Sequence, residues 1–133
     1  LTISSVEARS KAVLLSHVEN LRGQLSHGTV RFVSVGALFP YVMYMTPVLN
    51  AYLQELSQKI YDTVSGIPEG RISKFYRPMQ WLPHLTLGKM LTKEQMRIAF
   101  EVMQERFAPF DATVIKLGLA KTNPHEDLWM LEL

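Results

Sequence analysis

A chain of 133 residues with 47% hydrophobic and 20% charged residues has the size and composition of one soluble globular domain, not of a disordered segment. Its 14 lysines and arginines against 12 aspartates and glutamates permit an anionic ligand without requiring nucleic acid. The absence of cysteine excludes disulfides and thiolate metal sites, and no apolar run approaches the ~20 residues of a membrane span. Since no signal peptide is visible, we expect a cytoplasmic protein with no membrane partner.

The first residues predict a short strand followed by a helix. Leu1–Ile3 is strand-like, and Ser4 with Glu7 three residues later fits a capping box that begins the helix. The helix carries one apolar stripe, formed by Leu14, Val18, Leu21 and Leu25. Gly23 near its end marks the exit.

A hairpin and a second helix follow. Alternating side chains at 29–38, a turn at Phe39 and Pro40, and a second strand at 41–45 predict the hairpin. Thr46 and Pro47 then fit the cap and first position of a helix. Its apolar stripe is Leu49, Tyr52, Leu53, Leu56 and Ile60.

The last third predicts a helix and two more strands. Thr92 and Gln95 form a second capping box. The stripe of this helix is Met96, Ala99, Phe100, Met103 and Phe107. Residues 112–120 predict a single continuous strand, 121–127 a polar turn, and 128–133 the final strand.

The segment 80–89 predicts a loop that leads into a short strand with a polar face. Pro83 favours extended backbone before it, and Leu85 and Leu87 alternate with Thr86. The same two-residue period places His84 and Thr86 on one face, about 6–7 Å apart along the backbone. An imidazole and a hydroxyl at this spacing can bind a phosphate or a carboxylate.

The order of elements repeats, which indicates a duplication within a single domain of residues 1–133. The pseudo-repeats are approximately 1–46 and 47–133, with Thr2 equivalent to Thr86. We therefore expect Thr2 and Thr86 to face each other about a pseudo-two-fold axis. By the same logic, the first strand and helix of the first repeat should precede residue 1, and a histidine should stand immediately before Leu1.

The motif Pro83-His84-Leu85-Thr86-Leu87-Gly88-Lys89, with Leu1-Thr2-Ile3 as its partner, resembles the 2H phosphoesterase superfamily, also called the 2′-5′ RNA ligase or cyclic phosphodiesterase family. The resemblance implies an α+β fold that is duplicated and bilobal, with two antiparallel sheets lining a central cleft and helices outside. His84 and Thr86 match the second His-x-Thr motif of the family. Thr2 matches the threonine of the first motif.

The resemblance also implies a hydrolase that needs no metal and no cofactor. Its substrate would be a nucleotide or RNA terminus that carries a 2′,3′-cyclic phosphate or a 2′-5′ linkage. One neutral histidine would take a proton from water while a protonated one gives a proton to the leaving ribose oxygen. The hydroxyls of Thr86 and Thr2 would bind the nonbridging oxygens, and Lys89 would add positive charge.

Basic and aromatic residues alternate before the motif, as in an RNA-binding flank. Tyr76, Arg77 and Trp81 are the candidate substrate-binding residues of this flank.

Two other functions stay open: a catalytically silent module that binds a nucleotide or RNA end in the same cleft, and a structural protein with a coincidental motif. In the structural reading, His84 bonds a backbone carbonyl, the threonines are ordinary strand formers, Lys89 is a solvated lysine, and the aromatic residues are core.

Overall fold

The computed structural model describes residues 1–133 and contains three α-helices, a short 3₁₀ helix (Lys74–Tyr76) and eight strands. The helices are α1 (Lys11–Glu19), α2 (Ala51–Ser65) and α3 (Lys93–Arg106). The strands are β1 (Val6–Glu7), β2 (Gly28–Leu38), β3 (Val42–Pro47), β4 (Arg71–Ile72), β5 (Leu85–Gly88), β6 (Phe110–Val114), β7 (Lys116–Thr122) and β8 (His125–Glu132). All strand pairings are antiparallel, which confirms the predicted α+β class. None of the helices combines the length and apolar character needed to span a bilayer.

The largest sheet has four strands in the order β5-β3-β2-β6, and two further sheets pair β1 with β4 and β7 with β8. The predicted hairpin is confirmed as β2 and β3, with Leu38 opposite Val42 next to the turn. The predicted strand that follows His84 is confirmed as β5, which lies at the edge of the sheet against β3.

The prediction of one continuous strand over 112–120 was wrong. The chain leaves the four-stranded sheet after β6, which pairs with β2, and enters a separate hairpin as β7, which pairs with β8. The inward-facing positions change phase at the break: Ala112 and Val114 are half-buried in β6, and Leu117 and Leu119 are half-buried in β7. Ile115 lies between them and is 54% exposed.

The first residues also differ from the prediction. Leu1–Ile3 is not part of a strand, and Ser4 does not cap α1. Val6 and Glu7 pair with β4 instead, so their extended backbone cannot belong to a helix. The helix begins only after Ser10, whose hydroxyl accepts the N–H of Val13 at 3.3 Å. Leu14 and Val18 of the predicted stripe are buried in α1, but the helix ends at Glu19, so Leu21 is buried in the turn after it and Leu25 is half-buried beyond that turn.

The second helix begins four residues later than predicted. Thr46 and Pro47 remain in β3, where they pair with β2. The N-cap is Asn50, whose side-chain oxygen accepts the N–H of Leu53 at 3.0 Å. The amide nitrogen of Asn50 donates to the carbonyl of Thr29 at 2.9 Å. This cap therefore also ties the start of α2 to β2, a contact that no local pattern reveals.

The capping box of α3 is confirmed in both directions. The N–H of Gln95 donates to the Thr92 hydroxyl at 3.2 Å, and the N–H of Thr92 donates to the Gln95 side chain at 2.8 Å. The apolar stripe of α3 is covered only in part, because Met96 is buried whereas Phe100 is 36% exposed.

Two apolar clusters form the core, and α2 contributes to both. The first joins α1 to α2 and consists of Leu14, Val18, Leu21, Leu56, Ile60, Val64 and Ile67. The second lies between α2 and the four-stranded sheet and consists of Val30, Phe32, Leu53 and Trp81. Trp81 belongs to the loop before β5, so the second cluster anchors the segment that carries His84.

Candidate active site

The loop before β5 is held in place at two points. Trp81 is buried at 5% exposure, where its indole ring packs in the second core cluster. Pro83 is also buried, and its carbonyl accepts the Thr46 hydroxyl of the neighbouring strand at 2.7 Å. His84 follows directly, and β5 begins at the next residue. The backbone of His84 is therefore fixed by contacts to β3 and to the core.

The imidazole of His84 is half-buried and contacts two groups. Its Nδ1 atom lies 2.9 Å from the carbonyl oxygen of Leu82. A carbonyl only accepts, so this hydrogen bond requires the hydrogen on Nδ1 and leaves Nε2 with its lone pair in the neutral ring. Nε2 makes no hydrogen bond to the protein. The ring also packs edge-on against Tyr44, with the two ring centroids 5.5 Å apart.

Thr86 lies on the exposed surface beside this ring. It pairs directly with Tyr44 across β3 and β5, and opposite residues of an antiparallel pair project from the same face of the sheet. Its hydroxyl makes no hydrogen bond within the protein. The unengaged Thr86 hydroxyl can donate to an oxygen of a bound anion, and the unengaged Nε2 atom of His84 can accept a proton from a group bound beside it.

Thr2 is placed in different surroundings. It is exposed and lines a largely apolar cavity of about 1290 Å³ between the first nine residues, α1, α2 and the β7–β8 hairpin. His84 and Thr86 do not line this cavity. The expected strand at Leu1–Ile3 is absent, so Thr2 is not held by a sheet as Thr86 is. The facing of Thr2 and Thr86 stays a prediction.

The candidate substrate-binding residues differ in exposure. Lys89 and Arg77 are exposed and form no ion pair, whereas Tyr76 is half-buried against the second core cluster. Trp81 is part of the core itself, so its ring offers no face on which a base could stack. The exposed aromatic residue of this stretch is Phe75, which is 69% exposed with the Lys74 ammonium 5.3 Å from its ring centroid.

The segment around His84 is strongly cationic. Residues 70–93 contain no aspartate or glutamate, and their basic residues are Arg71, Lys74, Arg77, Lys89 and Lys93. Because the whole chain has a formal charge of +2, this segment carries +5 and the remainder −3 (2 − 5 = −3). All five side chains are exposed, and none belongs to a salt bridge. Unpaired exposed cations on one segment attract anions.

Tyr44 is the site residue that the sequence did not single out. The structure puts its ring against that of His84. Its position in β3 places it on the same face as Thr86, but the pairing of β3 with β5 was needed to recognise this.

The structure holds no group of three or more histidine, cysteine, aspartate or glutamate side chains close enough to bind a metal together.

Comparison with curated proteins finds no match. A family model described as the 2′-5′ RNA ligase superfamily matches residues 1–126, which includes Thr2, His84, Thr86 and Lys89. That match covers almost the entire sequence, and the α+β architecture agrees with it. The chain belongs to the 2′-5′ RNA ligase superfamily.

Proposed function

We propose that the protein is a metal-independent phosphodiesterase that acts on the 2′,3′-cyclic phosphate or the 2′-5′ phosphodiester of a nucleotide or RNA end. The observation that carries this proposal is the His84 imidazole, which has Nε2 unengaged beside the free hydroxyl of Thr86. Both lie in a segment whose charged residues are all cations. Membership of the superfamily supports the reaction class.

In the proposed reaction, water attacks the phosphorus while the bond from phosphorus to one ribose oxygen breaks. A neutral imidazole takes the proton of the attacking water, and a protonated imidazole gives a proton to the leaving ribose oxygen. His84 supplies one of these two groups through Nε2. We propose that the second group is a histidine of the first His-x-Thr motif, the motif to which Thr2 belongs.

The remaining groups bind the phosphate. The Thr86 hydroxyl donates to a nonbridging oxygen, and Thr2 does the same from the first repeat. Lys89 lies one residue beyond β5 and balances negative charge as it shifts between oxygens in the transition state. Hydrogen bonds that are stronger in the transition state than in the ground state are the ones that raise the rate.

The alternative function is a silent module that binds a nucleotide or RNA end without cleaving it. The observation that favours it is the separate placement of Thr2, which lines a cavity that excludes His84 and Thr86. Binding with no turnover would support this alternative.

The test is hydrolysis of 2′,3′-cyclic AMP and of a short RNA with a 2′,3′-cyclic end, in the presence of EDTA. We expect His84→Ala to lower kcat by about 10²- to 10⁴-fold, the range that a general acid or base contributes. Thr86→Ala should lower kcat by a smaller factor. His27→Ala is the matched control, since His27 is exposed in the loop before β2 and should not affect turnover. Full activity in both the His84 and the Thr86 variants would contradict the mechanism.

A further inference from the structure

Tyr44 occupies the centre of a row of residues that crosses the four-stranded sheet. It lies opposite Thr86 of β5 on one side and opposite Gly36 of β2 on the other. Directly opposite residues share a face of an antiparallel sheet, so Gly36, Tyr44 and Thr86 all belong to the face that carries the candidate site.

Gly36 provides the space in which the tyrosine ring lies. A Cβ atom built on Gly36 would stand 2.6 Å from the Tyr44 hydroxyl oxygen and 2.7 Å from the ring carbon that bears it. Gly36 does not have a positive φ angle, so the reason for glycine here is close approach and not backbone conformation. An aromatic ring that covers a glycine across two strands is a known way to stabilise such a pair.

The same ring limits the motion of the His84 imidazole. The two ring centroids are 5.5 Å apart with an interplanar angle of 63°, an edge-to-face arrangement that aromatic pairs favour. The hydrogen bond from Nδ1 to the Leu82 carbonyl restrains the imidazole at another point. With both contacts in place, the ring can neither turn over nor leave the sheet face without losing one of them.

We propose that Tyr44 is a positioning residue for His84 and that Gly36 is required because it makes room for the tyrosine ring. The effect on turnover rests on the proposed function, whereas the effect on the imidazole does not. The competing explanation is that Tyr44 only covers Gly36 and stabilises the hairpin, in which case His84 would be indifferent to it.

The first experiment measures the tautomeric state of the His84 imidazole directly, in the absence of substrate. Nitrogen-15 NMR of the histidine rings, assigned with His84→Gln, reports which ring nitrogen of His84 carries the hydrogen. We expect a single Nδ1–H form in the parent protein and in Tyr44→Phe. In Tyr44→Leu we expect the chemical shifts of the two His84 ring nitrogens to be averaged between the two tautomers. The same is expected in Gly36→Ala, which displaces the tyrosine ring without removing it.

Tyr41→Leu is the matched control for this measurement. Tyr41 belongs to the same hairpin and is 57% exposed, but it is outside the row and does not contact His84. The proposal is overturned if the His84 signals are the same in the parent protein, Tyr44→Leu and Gly36→Ala, or if Tyr41→Leu changes them as much as Tyr44→Leu does. Circular dichroism establishes that each variant is folded, and Gly36→Ala is an independent test if Tyr44→Leu does not fold.

The second experiment measures kcat and KM for the cyclic nucleotide. We expect Tyr44→Phe to stay within about twofold of the parent, because the ring and not the hydroxyl contacts His84. Tyr44→Leu should lower kcat by about ten- to a hundredfold, the effect of a misplaced catalytic group, with little change in KM. An equal loss in Tyr44→Phe and Tyr44→Leu would overturn positioning by the ring. If the parent protein is inactive, the proposed function fails, and the NMR comparison still decides whether Tyr44 positions His84.

Discussion

His84 is oriented by a backbone carbonyl and an aromatic ring, and no carboxylate contacts it. The Leu82 carbonyl lies only two residues away and depends on the local course of the loop. That course is in turn held by the hydrogen bond from Thr46 to Pro83, which joins residues far apart in the sequence. A single hydroxyl on β3 therefore supports the geometry of the imidazole.

Replacement of Thr46 by valine tests this support. The variant keeps the shape of the side chain but leaves the buried Pro83 carbonyl without its donor, so we expect unfolding to become easier by about 0.5–1.5 kcal/mol. Urea denaturation measures the change, with Thr63→Val as the control, because the Thr63 hydroxyl bonds a carbonyl of its own helix on the exposed surface. A Thr46 variant as stable as the parent, with unchanged His84 NMR signals, would show that the loop does not need this bond.

At the scale of elements, the β7–β8 hairpin is joined to α1 by a polar contact. The indole nitrogen of Trp129 donates to the Glu19 carboxylate at 2.5 Å, and Arg22 binds the same carboxylate. The hydrogen bonds from Arg22 and then from Trp129 lower the pKa of Glu19 below its ordinary value. Leu117 and Leu119 of the hairpin also pack against the core cluster of α1 and α2, and Lys11 of α1 forms an ion pair with Glu126, so this contact is one of several that hold the hairpin against the helices.

This lowered pKa predicts a pH-dependent contribution to stability. Because the pKa of Glu19 is lower in the folded than in the unfolded protein, its contribution is fully present above the unfolded value of about 4.3 and is lost as the pH falls through the folded value. We expect the urea midpoints of the parent and Glu19→Gln to differ at pH 6 and to converge below pH 4. Trp129→Phe removes one of the two donors and should show a smaller version of the same difference. A gap between parent and Glu19→Gln that is constant across this range would contradict the assignment.

At the scale of the whole molecule, α2 is the element on which both halves of the core depend. Its residues Leu56 and Ile60 pack in the cluster with α1, and Leu53 packs with Trp81 beneath the sheet. Leu53 has no exposed surface. The loop that carries His84 is thus connected to α2 through two buried side chains.

Leu53→Ala should be strongly destabilising for this reason. A leucine that is completely buried leaves a cavity when truncated, and the expected loss in the free energy of unfolding is about 2–5 kcal/mol. Ile98→Ala on α3 is the control, since Ile98 is 47% exposed and its truncation should change stability by only about 0.5 kcal/mol. Chemical denaturation measures the free energy of unfolding of both variants. Similar losses of this free energy in the two variants would mean that α2 is not the centre of the core.

The features that the sequence predicted correctly depend on residues close together in the chain. The capping box at Thr92 and Gln95 spans a single helical turn, and the β2–β3 hairpin follows from alternation on either side of a short turn. The strand after His84 follows from the alternation of Leu85 and Leu87 with Thr86. In each case, the residues that stabilise the element are the ones that form the pattern.

Tertiary structure decided the features that depend on distant partners. Ser4 and Ser10 are both suitable helix caps, and the pairing of β1 with β4 selected Ser10. The strand break at Ile115 and the burial of Trp81 likewise follow from contacts with other elements. The sequence by itself determined the family, the α+β class and the exposed His-x-Thr strand. Only the pairing of β3 with both β2 and β5 brought Tyr44 to His84. The contacts that stabilise this arrangement join residues that are far apart in the sequence, so no local pattern contains them.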